Sequence, residues 1–262
     1  MSCLFANKRD IFRIFVMEVN NMKTTDSIIV KISRLPKGYV FSYEDFLSEL
    51  NKKDAVIKAL NRMAASGKIA KLSKGKYYKP ETTAFGELQA NQTQTVKDLL
   101  EKDGILTGYL TGLSVYNKLG LSTQISNTIQ IGASDVRPPF KRGRFKISFI
   151  RQKNIITQAN IPLLRILDSV RFIKKIPGTS IDSACIRLSA IIEASTEKEL
   201  LSMIRLARKY PPAARALLGA LADESGFALL TEPLFKSLNP ITVYKLPGVD
   251  KVLSSAAKWN IK

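Results

Sequence analysis

Asn61 and Arg62 are residue types that make paired hydrogen bonds to adenine and guanine edges in a DNA major groove, and Lys58, a turn earlier, is a charge that neutralises phosphate. At helical spacing Asp54, Lys58, Asn61, Arg62 and Ala65 share one side, while Val56, Leu60, Met63 and Ala64 share the other. Gly67 stands where a helix stops. Two short basic runs follow, residues 68–72 and 76–79, on either side of Ser73-Lys74-Gly75, where a glycine suits a tight hairpin. A lysine-rich helix face is by itself most often a solvated face. A hairpin that also carries Lys71, Lys74, Lys76 and Lys79 suits a phosphate backbone, and with Lys53 at the helix entry these residues form a candidate DNA-binding set.

Those residues need a scaffold, and the preceding sequence supplies one. Ile28, Ile29, Ile32 and Leu35 set a first helix from Thr25, stopped by Pro36 and Gly38. A short strand at residues 39–41 follows, then Ser42 as N-cap of a helix over residues 43–50, with 51–53 turning into the helix of Asn61. Helix, strand, helix, helix, hairpin is the order of a winged helix-turn-helix, expected over residues 23–80. Residues 1–22 are expected to be an N-terminal extension outside the working protein, since Met22 offers a second start.

Residues 81–90 read as a polar connection, and 91–262 as a larger α/β domain, with a core to about 180 and a helical region over 181–262. The fold class expected is therefore mixed α/β, of the α+β kind. Within the second domain helices are expected at 91–103 and 105–119, strands at 124–131 and 145–150, a basic loop at 137–144, and a helix capped by Asn160 with Pro162 in its first turn. Further helices are expected over 181–194, 197–209 and 212–224, with a shorter piece over 230–238.

The net charge of +19 is concentrated. Residues 23–80 hold 13 Lys/Arg against 5 Asp/Glu, and residues 137–175 hold 11 against 1. Charge gathered in two segments is what a polyanion-binding surface requires. Arg142, Arg144, Lys146 and Arg151 in the second segment are a candidate functional surface, set against the plainer reading of a solvated strand and loop.

The same residues exclude much chemistry. The chain has no histidine, which removes histidine general bases and Cys/His zinc sites, and two distant cysteines make no disulfide framework. No apolar run approaches the roughly 20 residues of a membrane span, so a cytoplasmic protein without a membrane partner is expected. Gly132-Ala133-Ser134-Asp135-Val136-Arg137 is the nearest stretch to a nucleotidyltransferase signature, and it puts arginine where the second metal-binding carboxylate belongs. No Asp or Glu has a lysine two positions later, and neither Gly67-Lys68 nor Gly75-Lys76 continues as a P-loop. No enzyme, metal or cofactor is expected.

Seven runs carry a family resemblance from about Thr24 onward: residues 59–80 (ALNRMAASGKIAKLSKGKYYKP), 108–131 (GYLTGLSVYNKLGLSTQISNTIQI), 141–152 with 161–177 (KRGRFKISFIRQ, IPLLRILDSVRFIKKIP), 210–226 (YPPAARALLGALADESG), and LNPITVYKLP with KWNI near the end. In this order they resemble the AbiEi-type antitoxins of bacterial type IV toxin–antitoxin systems. The resemblance implies an N-terminal domain that binds double-stranded DNA at an operator in its own promoter and represses its operon. It also implies a C-terminal domain that counters a nucleotidyltransferase-like toxin, without catalytic residues and without requiring a stable complex. The alternative from the residues alone is a protein or RNA interaction module with no toxin partner.

Overall fold

The computed structural model of the protein describes residues 24–47, 52–84 and 86–262, so the expected extension at 1–22 and the end of the helix expected over 43–50 lie outside it. The chain divides into two compact units, one up to Lys97 and one from Asp98. The fold is mixed α/β, with several small sheets among short helices. Among the described residues no helix is long and apolar enough to cross a membrane.

In unit one the order runs α1 (Thr24–Arg34), β1 (Val40–Ser42), α2 (Glu44–Leu47), α3 (Lys53–Ala65), β2 (Ala70–Ser73) and β3 (Lys76–Tyr78). β3 lies between β1 and β2 and is antiparallel to both, so the hairpin and the first strand make one sheet. Ile28 and Ile32 from α1, Phe41 from β1, Phe46 from α2, Val56, Leu60 and Met63 from α3, and Tyr77 from β3 share one buried core. Phe41 meets Phe46 edge-on and Tyr77 face-on, with ring centroids 5.7 and 6.3 Å apart. The helix entries follow local chemistry: the Ser42 hydroxyl accepts the Glu44 N–H at 3.2 Å, and Asp45 accepts the Ser42 N–H at 2.7 Å.

The expected connection forms a hairpin of its own, β4 (Glu81–Thr83) with β5 (Gly86–Leu88). The unit then continues through α4 (Gln92–Thr95), capped by Asn91. Gln94 accepts the Val40 N–H at 3.2 Å, and the Lys97 ammonium donates to the Tyr39 hydroxyl at 2.8 Å. These bonds hold residues 91–97 to the first unit, so the division falls later than the polar composition of 81–90 suggests.

The short helix α5 (Lys97–Leu100) begins on the last residue of unit one, and unit two continues with a small hairpin of β6 (Glu101–Lys102) and β7 (Ile105–Leu106) and a four-stranded sheet of β8 (Gly108–Thr111), β9 (Thr128–Ala133), β10 (Phe140–Arg142) and β11 (Phe145–Arg151). The sheet order is β10-β11-β9-β8, with β11 parallel to β9 and the outer pairs antiparallel. The helix expected over 105–119 is therefore two strands and a 3-10 turn. All four residues of β8 are buried, so its sequence lacks the alternation of a half-buried strand. Gly108 is small because a side chain there would meet the Leu99 carbonyl, and Gly112 ends the strand at φ +54°. The basic loop expected at 137–144 likewise contains β10.

The helices α6 (Ile161–Arg171), α7 (Ile181–Glu193), α8 (Glu197–Ala207), α9 (Pro212–Glu224) and α10 (Glu232–Phe235) follow, close to expectation. Asn160 precedes α6 but does not cap it with its side chain; its amide donates to the Ile155 carbonyl at 3.1 Å. Thr196 and Glu199 form a full capping box at α8. Leu164, Leu188, Leu200, Leu217, Leu218 and Trp259 belong to one buried core that spans these helices and the C-terminal segment. Trp259 seats where Gly219 has no side chain, since a Cβ there would run into the indole ring. Its ring N–H donates to Asp223 at 2.9 Å, and Phe235 meets it edge-on at 5.4 Å.

Candidate nucleic-acid interface

α3 forms because Val56, Ala59, Leu60 and Met63 are buried at helical spacing against the unit-one core. Lys58, Asn61 and Arg62 are exposed on the opposite side, as expected. Gly67 and Gly75, both at φ +72°, end the helix and turn the hairpin. Lys71 and Lys74 are exposed on that hairpin, while Lys76 is half-buried at its second strand, in register with Ser42. Lys53 opens α3, where a cation faces the unfavourable positive end of the helix dipole. Its ammonium lies 5.1 Å from the centre of the Tyr43 ring.

Two members of the set have structural duties. The Tyr77 hydroxyl donates to the Asn61 carboxamide oxygen at 2.8 Å, which fixes that side chain between helix and hairpin. Burial raises the Tyr77 pKa, so the phenol keeps its proton and stays a donor. Asn61 retains its amide donors but is not a freely rotating base reader. Lys79 is further from expectation. Its ammonium donates to the carbonyls of Ser33 at 2.7 Å and Leu35 at 2.9 Å, satisfying the C-terminal end of α1. A cation held there serves helix α1 and leaves the DNA-binding set. Among the described residues Arg62 makes one long contact, 3.5 Å to Thr25, and its side chain is exposed.

In unit two the expected surface divides. Arg142 is buried and makes a paired contact with Asp98, at 2.6 and 3.2 Å, so it is a structural ion pair and not a surface cation. Asp98 lies 44 positions away, which is why strand alternation alone gives no sign of it. Arg144, over the ring of Phe145, and Lys146 are exposed on the β10–β11 hairpin. Arg151 is exposed at the end of β11, and its carbonyl accepts from Arg171 at 3.3 Å.

Beneath Arg151 and Arg171 is a polar network that sequence reasoning missed. Asp168 on α6 is fully buried and accepts three hydroxyls: Tyr109 and Thr111 on one oxygen, each at 2.7 Å, and Tyr210 on the other at 2.9 Å. Gln152 donates to the same two tyrosine hydroxyls at 2.8 Å. Tyr109 reaches Asp168 from β8 with its ring lying over Gly132, its cross-strand partner. Burial pushes the Asp168 pKa up, and the hydroxyl donors and Arg171 pull it back. Burial, then the Asp168 charge, raise both tyrosines far above the ordinary phenol range, so they remain donors. The available signal was one acid in the apolar run of α6. Among the described residues no group of three His, Cys, Asp or Glu could hold a metal.

The fold and these two basic surfaces define a mixed α/β protein with a helix-and-hairpin unit ahead of a sheet-and-helix unit. The chain belongs to DUF6088, a family of unknown function, whose model matches residues 27–221. The fold is similar to that of the crystal structure of the RV2827C protein from Mycobacterium tuberculosis, with a TM-score of 0.55, 15% identity and 86% of each chain covered. At that identity the likeness concerns the fold alone. No curated protein matches the chain.

Proposed function

We propose that the protein is a DNA-binding antitoxin of the type IV kind, acting in the cytoplasm, which represses its own operon through unit one and counters a nucleotidyltransferase-like toxin through unit two. In this reading unit one is a winged helix, with α3 entering the major groove and the β2–β3 hairpin lying on the phosphate backbone. The observation that carries it is the bond from Tyr77 to Asn61, which ties the hairpin bearing the exposed Lys71 and Lys74 to the helix bearing the exposed Lys58 and Arg62. Arg62 suits a guanine edge, and the three lysines suit phosphates. The antitoxin half rests on the family resemblance in the later runs of sequence and needs no catalytic residue.

The test is a gel shift on DNA from the protein's own promoter against a scrambled duplex, with co-expression alongside the neighbouring gene product. Preference for the promoter, lost in Arg62→Ala, together with rescue of growth, is the expected result. Equal affinity for both duplexes would remove the repressor role, and absence of rescue would remove the antitoxin role.

A further inference from the structure

Two cavities open side by side in unit two, and Arg151 and Arg171 belong to the walls of both. The first, about 290 Å³, adds Lys153, Lys209, Tyr210 and the Pro211–Pro212 start of α9. The second, about 460 Å³, adds Phe149, Phe172, Tyr116 and Lys175. Their sizes reach the lower range of small-ligand sites.

The lining of the first cavity is cationic. Its lining has no carboxylate, and among the described residues Arg151, Lys153, Arg171 and Lys209 form no ion pair. Two of them are held by neutral acceptors instead: Arg171 donates to the Arg151 carbonyl at 3.3 Å and Lys209 to the Lys153 carbonyl at 3.2 Å. Gathering like charges this way costs Coulomb energy that the one buried carboxylate beneath, Asp168, offsets only at Arg171, whereas a bound polyanion would offset it across the cluster. The 13-residue helix α9 also starts at this cavity, with the positive end of its dipole. Below, the bonds of Tyr210 and Gln152 to the Asp168 network hold the floor in place.

The second cavity is aromatic. Phe149 and Phe172 are half-buried, and each ring has a guanidinium near its centroid: Arg137 at 5.6 Å from Phe149 and Arg171 at 4.7 Å from Phe172. Planar rings beside planar cations are the platform on which nucleobases stack.

We propose that the two cavities form one binding site for a nucleoside phosphate, with the base against Phe149 and Phe172, the phosphates among Lys153, Lys209 and the start of α9, and Arg151 and Arg171 at the junction. The ligand is either a free nucleotide or a nucleotide within a single strand. The site lies wholly in unit two and does not depend on DNA binding by unit one.

Calorimetry on the full chain at fixed ionic strength tests it with ATP, UTP, pyrophosphate and adenosine. The nucleotides should bind about tenfold or more tighter than pyrophosphate or adenosine, because only they engage the rings and the cations together. Arg151→Ala and Lys209→Ala should each weaken ATP about tenfold, and Phe172→Ala should bring ATP towards pyrophosphate, with circular dichroism unchanged. A hexaribonucleotide competing with a fluorescent ATP derivative distinguishes the sources. Stronger competition than by ATP, abolished in Arg151→Ala, assigns the site to strands, and weaker competition assigns it to free nucleotides. Pyrophosphate binding as tightly as ATP, or no binding of ATP, UTP or the oligonucleotide at millimolar concentration, overturns the proposal, and both outcomes are read on the unaltered protein.

Discussion

The hydroxyl of Tyr77 and the carboxamide oxygen of Asn61, 2.8 Å apart, join the hairpin to the exposed side of α3. That bond makes the spacing between helix and hairpin a property of the fold. Tyr77→Phe should therefore weaken discrimination between promoter and scrambled DNA and also lower stability by about 0.5 to 1.5 kcal/mol. Arg62→Ala should cost about 1 to 3 kcal/mol of discrimination with the melting temperature unchanged. Gel shifts and thermal melts of the two variants separate the roles, and equal melting of both would show that the bond holds nothing.

The lysines of the hairpin should differ in kind. Lys71→Ala and Lys74→Ala are each expected to lower the slope of log affinity against log salt by about 1, since each variant leaves one phosphate with its counterion. Lys79→Ala should leave that slope alone and lower stability, because its ammonium satisfies the carbonyls of Ser33 and Leu35. A salt slope that falls in Lys79→Ala would return this residue to the DNA-binding set.

Burial raises the Asp168 pKa above its ordinary 3.8. Between 3.8 and the raised value the native chain keeps a proton that the unfolded chain has lost, so stability falls as pH rises through that window. The fall is at most about 1.4 kcal/mol per pH unit for one proton. Asp168→Asn cannot titrate, and denaturant melts across this range should show a flatter dependence. An unchanged pH profile would mean that Asp168 stays charged throughout.

Cys185 on α7 is fully buried, and burial, then Asp182, push its thiol pKa up to about 12. With so little thiolate and no access, a Cys3→Ser variant should resist thiol reagents until it unfolds. Labelling in rising denaturant should follow unit two by circular dichroism, and fast labelling of the native protein would reveal local opening around α7.

Unit one was legible because its signals are local. Pro36, Gly38, Gly67 and Gly75 mark the ends of elements, and the apolar positions of α1 and α3 repeat at helical spacing. What escaped is non-local. β8 is buried on both faces and resembles a buried helix in sequence. The donors to Asp168 lie 42 to 59 positions away, and only the folded sheet and α8–α9 turn bring them together. The cationic cavity has the same cause: Arg151, Arg171 and Lys209 come from three separate elements, so the basic segment over 137–175 showed Arg151 and Arg171 as charge but not that they meet, and Lys209 lies outside it.

The chain has one tryptophan, and it is enclosed by Gly219, Phe235 and Asp223. Its emission is a built-in optical label for unit two, silent on events confined to the helix and hairpin of unit one. Excited at the indole band, the unaltered protein should keep a blue-shifted spectrum while unit one melts, and shift to red only when the C-terminal segment leaves α9. A gap between that transition and the loss of helical ellipticity would measure how far the two units unfold as separate bodies.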